Sequence, residues 1–209
     1  MPGDGRLTAI FKQPIQHRVH VGAEGLDGDV QADRRNHGGP EKAVHHFPAD
    51  NYARLTQVVP ELAERFVPGA IGENISTAGY AEADVCIGDV YALGTARIQL
   101  CQPRTPCWKI NTRFGVEGLA KAIQVAGVSG WYYRVLEEGE VAVGDEWRLL
   151  ERNPEPFSVE RFWQIAHTLR PDLDELTRLA ATPGLAMQRQ QRIRDRLVWL
   201  QENGNRPEL

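Results

Sequence analysis

The sequence predicts a mainly-β chain: a β-barrel with a few helices, followed by a small all-α module of three helices. Short segments of alternating apolar residues, typical of strands, recur as far as residue 150. Two prolines within residues 153–157 (NPEPF) then make a stiff linker, and beyond it the apolar residues recur at helical spacing. We therefore expect a barrel domain over residues 1–152 and a three-helix domain over residues 153–209.

In the barrel part, strands are expected within residues 7–21, over residues 96–101 (ARIQLC) and over residues 131–143 as a hairpin. One helix should follow Pro48, and a second should lie within residues 116–126, where the apolar residues share one face. Mostly short strands with one or two helices favour a closed or partly closed barrel.

In the helical part, Ser158 and Asp172 are good N-caps for two helices, and a third helix should run from about residue 185 to residue 201. The four arginines within residues 189–196 suggest a basic face that could bind nucleic acid. Acidic and basic residues are equal in number after residue 154, however, so a solvated helix face is the preferred interpretation.

The composition excludes several classes of protein. The 209 residues are 42% hydrophobic and 25% charged, which suffices for a buried core without disulfides. No stretch resembles a signal peptide or the roughly 20 apolar residues of a membrane span, so a cytoplasmic protein without a membrane partner is expected. A net charge of -4 argues against nucleic acid as a partner. Three cysteines without a CxxC pair argue against a disulfide framework or a thiolate zinc site.

The first candidate site is the segment QPRTPCWKIN, residues 102–111. Its two prolines cannot donate to a sheet, so the chain should leave the preceding strand as a stiff loop that displays Arg104, Cys107 and Lys109 close together. Nearby cations lower the pKa of a thiol and favour the reactive thiolate. Residues 90–116 also contain no Asp or Glu, which suggests an anionic ligand. The alternative is a half-buried loop thiol without a chemical role.

A glycine-rich segment, residues 22–47, is the second candidate. It carries His37, Lys42, His45 and His46, and these groups together with exposed backbone amides could face a phosphate. A solvated loop with a turn at its glycine pair is an equally good interpretation.

Asn74 has two interpretations, whereas Cys86 and Cys101 have one. Asn74, in GENIST (residues 72–77), could be an ordinary turn residue or could donate to a ligand. Cys86 and Cys101 lie in apolar strand patterns, where a free cysteine usually behaves as a small buried hydrophobe, so we expect both to be inert.

Four segments together resemble the MOSC-domain family, and specifically its YiiM-like branch. They are residues 37–47 (HGGPEKAVHHF), residues 72–77 (GENIST), residues 87–110 (IGDVYALGTARIQLCQPRTPCWKI) and the C-terminal helices. The resemblance implies a MOSC-type β-barrel that binds the molybdenum cofactor (molybdopterin), with Cys107 as the metal ligand and catalytic residue. It also implies the family's own C-terminal three-helix module and, at the level of the wider family, pyridoxal phosphate binding.

By the same resemblance, His37, Lys42, Asn74, Arg104 and Lys109 fall where the pterin and phosphate of the cofactor would be held. Proteins similar to this one reduce N-hydroxylated compounds such as hydroxylaminopurines, which is a detoxification. The chain has no cysteine cluster for an iron-sulfur centre and no dinucleotide fingerprint, so a separate flavin-type reductase should supply the electrons.

Three questions stay open at this point. The proton donor could be His37, His45 or Glu73. The protein could instead be a carrier of the molybdenum cofactor or of sulfur, with a persulfide on Cys107 and no turnover. The chain could also form a homodimer, and the sequence does not decide this.

Overall fold

Antiparallel strands in two sheets form the first part of the chain. The computed structural model describes residues 8, 10–30 and 38–203. Its strands are β1 (Val19–Gly22), β2 (Gly25–Leu26), β3 (Val44–His46), β4 (Val90–Leu93), β5 (Ala96–Pro103), β6 (Trp131–Glu137), β7 (Gly139–Val141) and β8 (Trp147–Glu151). Its α-helices are α1 (Asp50–Val58), α2 (Trp108–Phe114), α3 (Leu119–Val125), α4 (Val159–His167), α5 (Leu173–Ala180) and α6 (Met187–Asn203). Short 3-10 helices span Pro40–Lys42 and Pro60–Arg65.

The two sheets have the strand orders β2-β1-β7 and β3-β6-β5-β4-β8. The hairpin expected over residues 131–143 is therefore wrong, because β6 pairs with β3 and β5 whereas β7 pairs with β1. The chain changes sheet at Gly139. A Cβ there would lie 2.5 Å from the backbone nitrogen of Ala96, so the crossing brings two backbones closer than a side chain permits.

One apolar core lies between the sheets and continues into the C-terminal helices. It includes Val21 of β1, Ile98 of β5, Trp131 of β6 and Leu176 of α5. Strands as far as Glu151, followed by three helices, confirm the predicted fold class. The division at residue 152 stays a prediction. A second apolar cluster lies beneath α1, α2 and α3.

The helices of the first part agree with the sequence patterns, except for α2. Helix α1 follows Pro48, and α3 lies within the expected residues 116–126. Helix α2 was not expected, because the prolines of residues 103–106 indicated a loop. Its sequence signals are Ile110 and Phe114, which are buried on one face, and Gly115, which ends the helix with a φ of 70°.

Both predicted N-caps of the helical part are confirmed. The backbone N–H of Arg161 donates to Ser158 Oγ at 3.0 Å, and that of Glu175 donates to Asp172 Oδ1 at 2.7 Å. The third helix begins at Met187, two residues later than expected. No helix among the described residues is long and apolar enough to cross a lipid bilayer.

The solvated basic face expected within residues 189–196 is wrong for two of its four arginines. Arg196 donates to the carbonyl of Ala166 at 2.9 Å, which caps the end of α4. Arg189 reaches the segment after β5, where its Nη2 donates to Thr105 Oγ1 at 2.6 Å. Arg192 and Arg194 are exposed. Charge balance in the sequence cannot reveal such contacts, because it contains no information on what lies opposite a helix.

Candidate functional site

The thiol of Cys107 lies at the point where β5 gives way to α2. Strand β5 continues two residues beyond the predicted end, and the backbone N–H of Arg104 then donates to the carbonyl of Gly130 at 3.0 Å. Cys107 occupies the N-cap position of α2 and is half-buried. Lys109, the second residue of this helix, is half-buried too. The segment is thus shorter and more ordered than the loop expected from its prolines.

Arg104 is buried, contrary to the displayed position expected from the sequence. Its side chain is 5% exposed, and its Nη2 donates to the carbonyl of Ile71 at 3.3 Å. Its Nη1 has no hydrogen-bond partner within the described part of the chain. A buried guanidinium N–H without an acceptor is costly, so this atom is suited to an anionic oxygen from a ligand.

His45 provides a second unpaired atom of the opposite kind. The residue is 4% exposed, and burial together with the positive charge of Arg104 holds its pKa well below the usual 6.5. The ring is therefore neutral at physiological pH. Its Nδ1 lies 3.4 Å from the carbonyl of Gly72, which can only accept, so we place the hydrogen on Nδ1. Nε2 then presents a lone pair, and no described residue donates to it.

Tyr132 is a further residue beside these groups, and it was not predicted from the sequence. It lies opposite His45 in the pairing of β3 with β6, and the two rings are 5.1 Å apart. Burial raises the pKa of the Tyr132 hydroxyl, the charge of Arg104 lowers it, and the thiol of Cys107 raises it. Its alternation with Trp131 and Tyr133, which face the core, was the available signal that it faces the other side of β6.

Asn74 holds His45 in place. Its Oδ1 accepts from the backbone N–H of His45 at 2.8 Å, and its Nδ2 donates to Asp29 Oδ2 at 2.7 Å. Asp29 also forms an ion pair with Lys12. Both ends of the Asn74 side chain thus bind residues distant along the chain, which differs from the local turn interpretation; a role toward a ligand stays a prediction. No sequence pattern pointed to Asp29 or Lys12, because both are distant along the chain from Asn74.

Glu73 stabilises the loop that precedes Asn74. Its carboxylate accepts from the Tyr52 hydroxyl and from the backbone N–H groups of Gly69 and Ile71. Burial, followed by the charge of Glu73, raises the pKa of Tyr52. A buried carboxylate with several donors of this kind has a structural role in the loop.

The glycine-rich segment, residues 22–47, is called the basic loop below, and the structure describes only part of it. His37 lies outside the described residues. Lys42 is half-buried in the 3-10 helix Pro40–Lys42, which Gly39 precedes with a φ of 88°, a conformation that favours glycine.

The expectation that Cys86 and Cys101 are buried is confirmed. Burial raises the pKa of Cys101 to about 12, and its Sγ donates to the carbonyl of Glu41 at 3.1 Å. Burial also raises the pKa of Cys86, whose Sγ accepts from Arg152. Of the three thiols, that of Cys107 is the most accessible.

An open cavity of about 520 Å³ lies beside Asn74. Its lining is mixed. The apolar side chains include Phe11, Ile15, Val19 and Leu26, and the polar ones include Lys12, Gln13, His17, Asp27 and Asp29.

Comparison with known proteins decides the family. The model of the MOSC domain matches residues 33–148, which include β3 to β7 and the whole segment around Cys107. The chain belongs to the MOSC domain family. The predicted resemblance is therefore confirmed.

Relatives of this MOSC protein include bacterial and fungal sequences. It is 37% identical to Protein YiiM of Escherichia coli over 88% of this chain and 81% of that protein. It is 38% identical to the uncharacterized protein YflK of Bacillus subtilis over 86% and 80%. A Gibberella moniliformis protein named Reductase is 35% identical, and the chain matches 32% of its length.

Solved structures support the YiiM-like branch of the MOSC family. The crystal structure of YiiM from Geobacillus stearothermophilus matches with a TM-score of 0.79 and 33% identity over 91% of this chain and 90% of that one. That of YiiM from Escherichia coli matches with a TM-score of 0.77 and 31% identity over 93% and 90%.

Proposed function

We propose that this MOSC protein binds the molybdenum cofactor and reduces N-hydroxylated compounds, such as hydroxylaminopurines, with electrons from a separate flavin-type reductase. The observation that carries the proposal is the pair of unpaired buried atoms, Arg104 Nη1 and His45 Nε2, on the segments that flank Cys107 and Asn74. Buried donors and acceptors are usually satisfied, and the charge of Arg104 acts on His45, so a single ligand could complete both atoms.

The residues fit the molybdenum cofactor in three respects. Arg104 would donate Nη1 to an oxygen of the terminal phosphate. His45 Nε2 would accept from an N–H or O–H group of the pterin or of the substrate. Cys107 would supply a thiolate, a soft ligand suited to molybdenum in a sulfur-rich environment.

The metal itself would need only one protein ligand. No group of three or more His, Cys, Asp or Glu side chains in the described ranges could hold a metal ion. A metal centre built on Cys107 therefore requires that its other ligands come from the bound cofactor. The dithiolene of a pterin satisfies this condition, whereas a free metal ion does not.

The reaction consumes a hydroxylamine, two electrons and two protons, and releases an amine and water. When bound, the cofactor would supply the two-electron chemistry at the N–O bond. The protein would orient the substrate and hold the protons. His45 is a poor proton donor because its ring is neutral and its Nδ1 hydrogen faces Gly72. The Tyr132 hydroxyl, which keeps its proton at neutral pH, is better suited to this role.

Two further observations support the proposal. The cavity beside Asn74 is lined by both apolar and polar side chains, a mixture that suits a flat heteroaromatic base. The relative named Reductase contains a matching stretch within a longer chain. A redox role for this family of sequences is consistent with that name.

The first experiment measures molybdenum and pterin in protein purified from a host that makes the cofactor. Native chain and Cys101→Ala should carry both, whereas Cys107→Ala should lose the metal. Cys101→Ala is the matched control, since it removes a buried thiol from the adjacent strand. Retention of molybdenum by Cys107→Ala would contradict the assigned ligand.

The second experiment adds a hydroxylaminopurine and a flavoprotein reductase with its electron donor to the native protein. We expect formation of the aminopurine at a rate that depends on the bound molybdenum. If the metal stays bound and no amine forms, the reductase proposal fails and the carrier alternative, with a persulfide on Cys107, should be tested by sulfide release.

A further inference from the structure

The start of α6 contacts both segments of the candidate site. The backbone N–H of Ala186 donates to the carbonyl of Cys101 at 2.9 Å, and that of Met187 donates to Glu41 Oε1 at 3.0 Å. The same Glu41 oxygen accepts from Arg134 at 2.8 Å. The C-terminal helix is thus hydrogen-bonded to the end of β5 and to the basic loop.

Arg189, in the first turn of α6, makes the most extensive of these contacts. Its Nε donates to Gln102 Oε1 at 3.2 Å. Its Nη2 donates to the carbonyl of Pro103 at 3.3 Å and to Thr105 Oγ1 at 2.6 Å. One guanidinium therefore holds three residues within the four that precede Pro106 and Cys107. The planar fork of an arginine suits this pattern, which a lysine cannot reproduce.

The guanidinium also lies near two aromatic rings of α4. Its carbon lies 6.0 Å from the ring centre of Phe162 and 5.9 Å from that of Trp163. Burial and the nearby charge of Arg192 lower the pKa of Arg189 to about 10, so the group stays charged at neutral pH. A desolvated cation between aromatic rings and acceptors makes strong, directional contacts.

We propose that Arg189 is a positioning residue for Cys107, so that the three-helix tail is a working part of the site. Gln102 and Arg104 are also bound to the carbonyls of Glu41 and Gly130, and Arg189 adds the contact with Thr105, the last of these residues before Pro106 and the N-cap of α2. The consequence for a cofactor rests on the proposed function, whereas the placement of the thiol does not.

The test uses the cofactor-free protein and therefore does not depend on the proposed function. Arg189→Ala should raise the rate of Cys107 alkylation by iodoacetamide at alkaline pH by about fivefold or more, because the segment opens more often. Amide hydrogen exchange of residues 102–110 should rise in parallel. Arg194→Ala, which removes an exposed arginine of the same helix, should leave both rates unchanged. Equal rates in Arg189→Ala and the native chain would overturn the proposal.

Chemical rescue separates positioning from loss of stability. Guanidinium ion, at concentrations too low to denature, should occupy the space between the rings and Thr105 and should restore slow alkylation in Arg189→Ala. A merely destabilised protein would alkylate faster still in guanidinium. If Arg189→Ala does not fold, Arg189→Lys is measured instead, and it should alkylate at an intermediate rate because it keeps the charge but loses the fork. A native rate in Arg189→Lys would equally overturn the proposal.

Failure of the two proposals can be told apart. If alkylation is slow and depends on Arg189 but the protein never carries molybdenum, the positioning role is supported and the proposed binding of the molybdenum cofactor is refuted. If the native chain and Arg189→Ala bind molybdenum equally well and alkylate at equal rates, cofactor binding is supported and the positioning role is refuted.

Discussion

Gly184 lies against Gly88 so closely that a Cβ on Gly184 would be 2.7 Å from the Cα of Gly88. Gly88 forms the entry to β4, and Gly184 precedes α6, so this contact joins the first part of the chain to the tail. The carbonyl of Pro183 also accepts from Asn153 at 3.2 Å, and Asn153 donates to Ile87 as well. The tail is therefore seated by backbone contact as well as by apolar side chains.

Replacing Gly184 by alanine should destabilise the protein more than replacing Gly144. Both glycines have φ values in the left-handed region, 82° and 89°, so both substitutions incur a similar backbone cost of about 1–2 kcal/mol. Only at Gly184 would the new methyl group meet other atoms, whereas around Gly144 nothing described lies within 4 Å. We expect an additional loss of about 1–3 kcal/mol in the free energy of unfolding, measured with urea. Equal losses would show that the tail can move away without cost.

Removing the guanidinium of Arg104 should weaken anion binding at the site. A hydrogen bond to a charged partner contributes about 1.5–3 kcal/mol, so Arg104→Gln should reduce affinity for the molybdenum cofactor by about tenfold to a hundredfold. Cofactor content after gentle purification is the measurement. Arg65→Gln is a suitable control, because Arg65 is bound to the carbonyls of Arg113 and Phe114, away from His45. An undiminished cofactor content in Arg104→Gln would remove the main support for the proposed function.

Acid should destabilise the protein through His46. Burial lowers the pKa of His46 to about 3, and the ring is held between the Tyr133 hydroxyl and Thr77 Oγ1. The unfolded chain binds a proton near pH 6.5, whereas the folded chain does so only near pH 3. The contribution of His46 to the free energy of unfolding is therefore fully present above pH 6.5. As the pH falls from 6.5 towards 3, it decreases by about 1.4 kcal/mol per pH unit.

Urea unfolding at several pH values between 7 and 4 measures this slope. His46→Gln can keep hydrogen bonds to both partners while it removes the titrating ring. The loss of unfolding free energy per pH unit should therefore be smaller in His46→Gln than in the native chain, by about 1.4 kcal/mol. His20→Gln, at a half-exposed histidine of β1, is the comparison. A slope unchanged in His46→Gln would show that other groups cause the acid sensitivity.

The sequence predicted those features that depend on local patterns. Alternation indicated β5, and helical spacing with a good cap indicated α4 and α5. Other features depend on pairings between distant residues, and a pattern along one chain does not contain them. The assignment of β7 to a sheet other than that of β6 is one example, and the contact of Arg189 with Thr105 is another.

The site shows the same division between local and distant information. The prolines of residues 103–106 suggested an exposed loop, but the fold buries Arg104 against Ile71, and only a folded chain can place that carbonyl there. Tyr132 was missed for the same reason, since a tyrosine in a strand gives no sign of its neighbours across β3. Asn74 had two interpretations from the sequence, and neither one indicated its hydrogen bonds with His45 and Asp29, which are distant along the chain.

The shared core has a consequence for how this chain can be divided. The apolar residues of β1, β5 and β6 belong to the same cluster as those of α4, α5 and α6. A protein truncated after residue 152 would expose the apolar face of its sheet to water and would tend to aggregate. Exchanging the tail between relatives should therefore also require exchanging the core residues of the strands that contact it, because the two sets of side chains pack against each other.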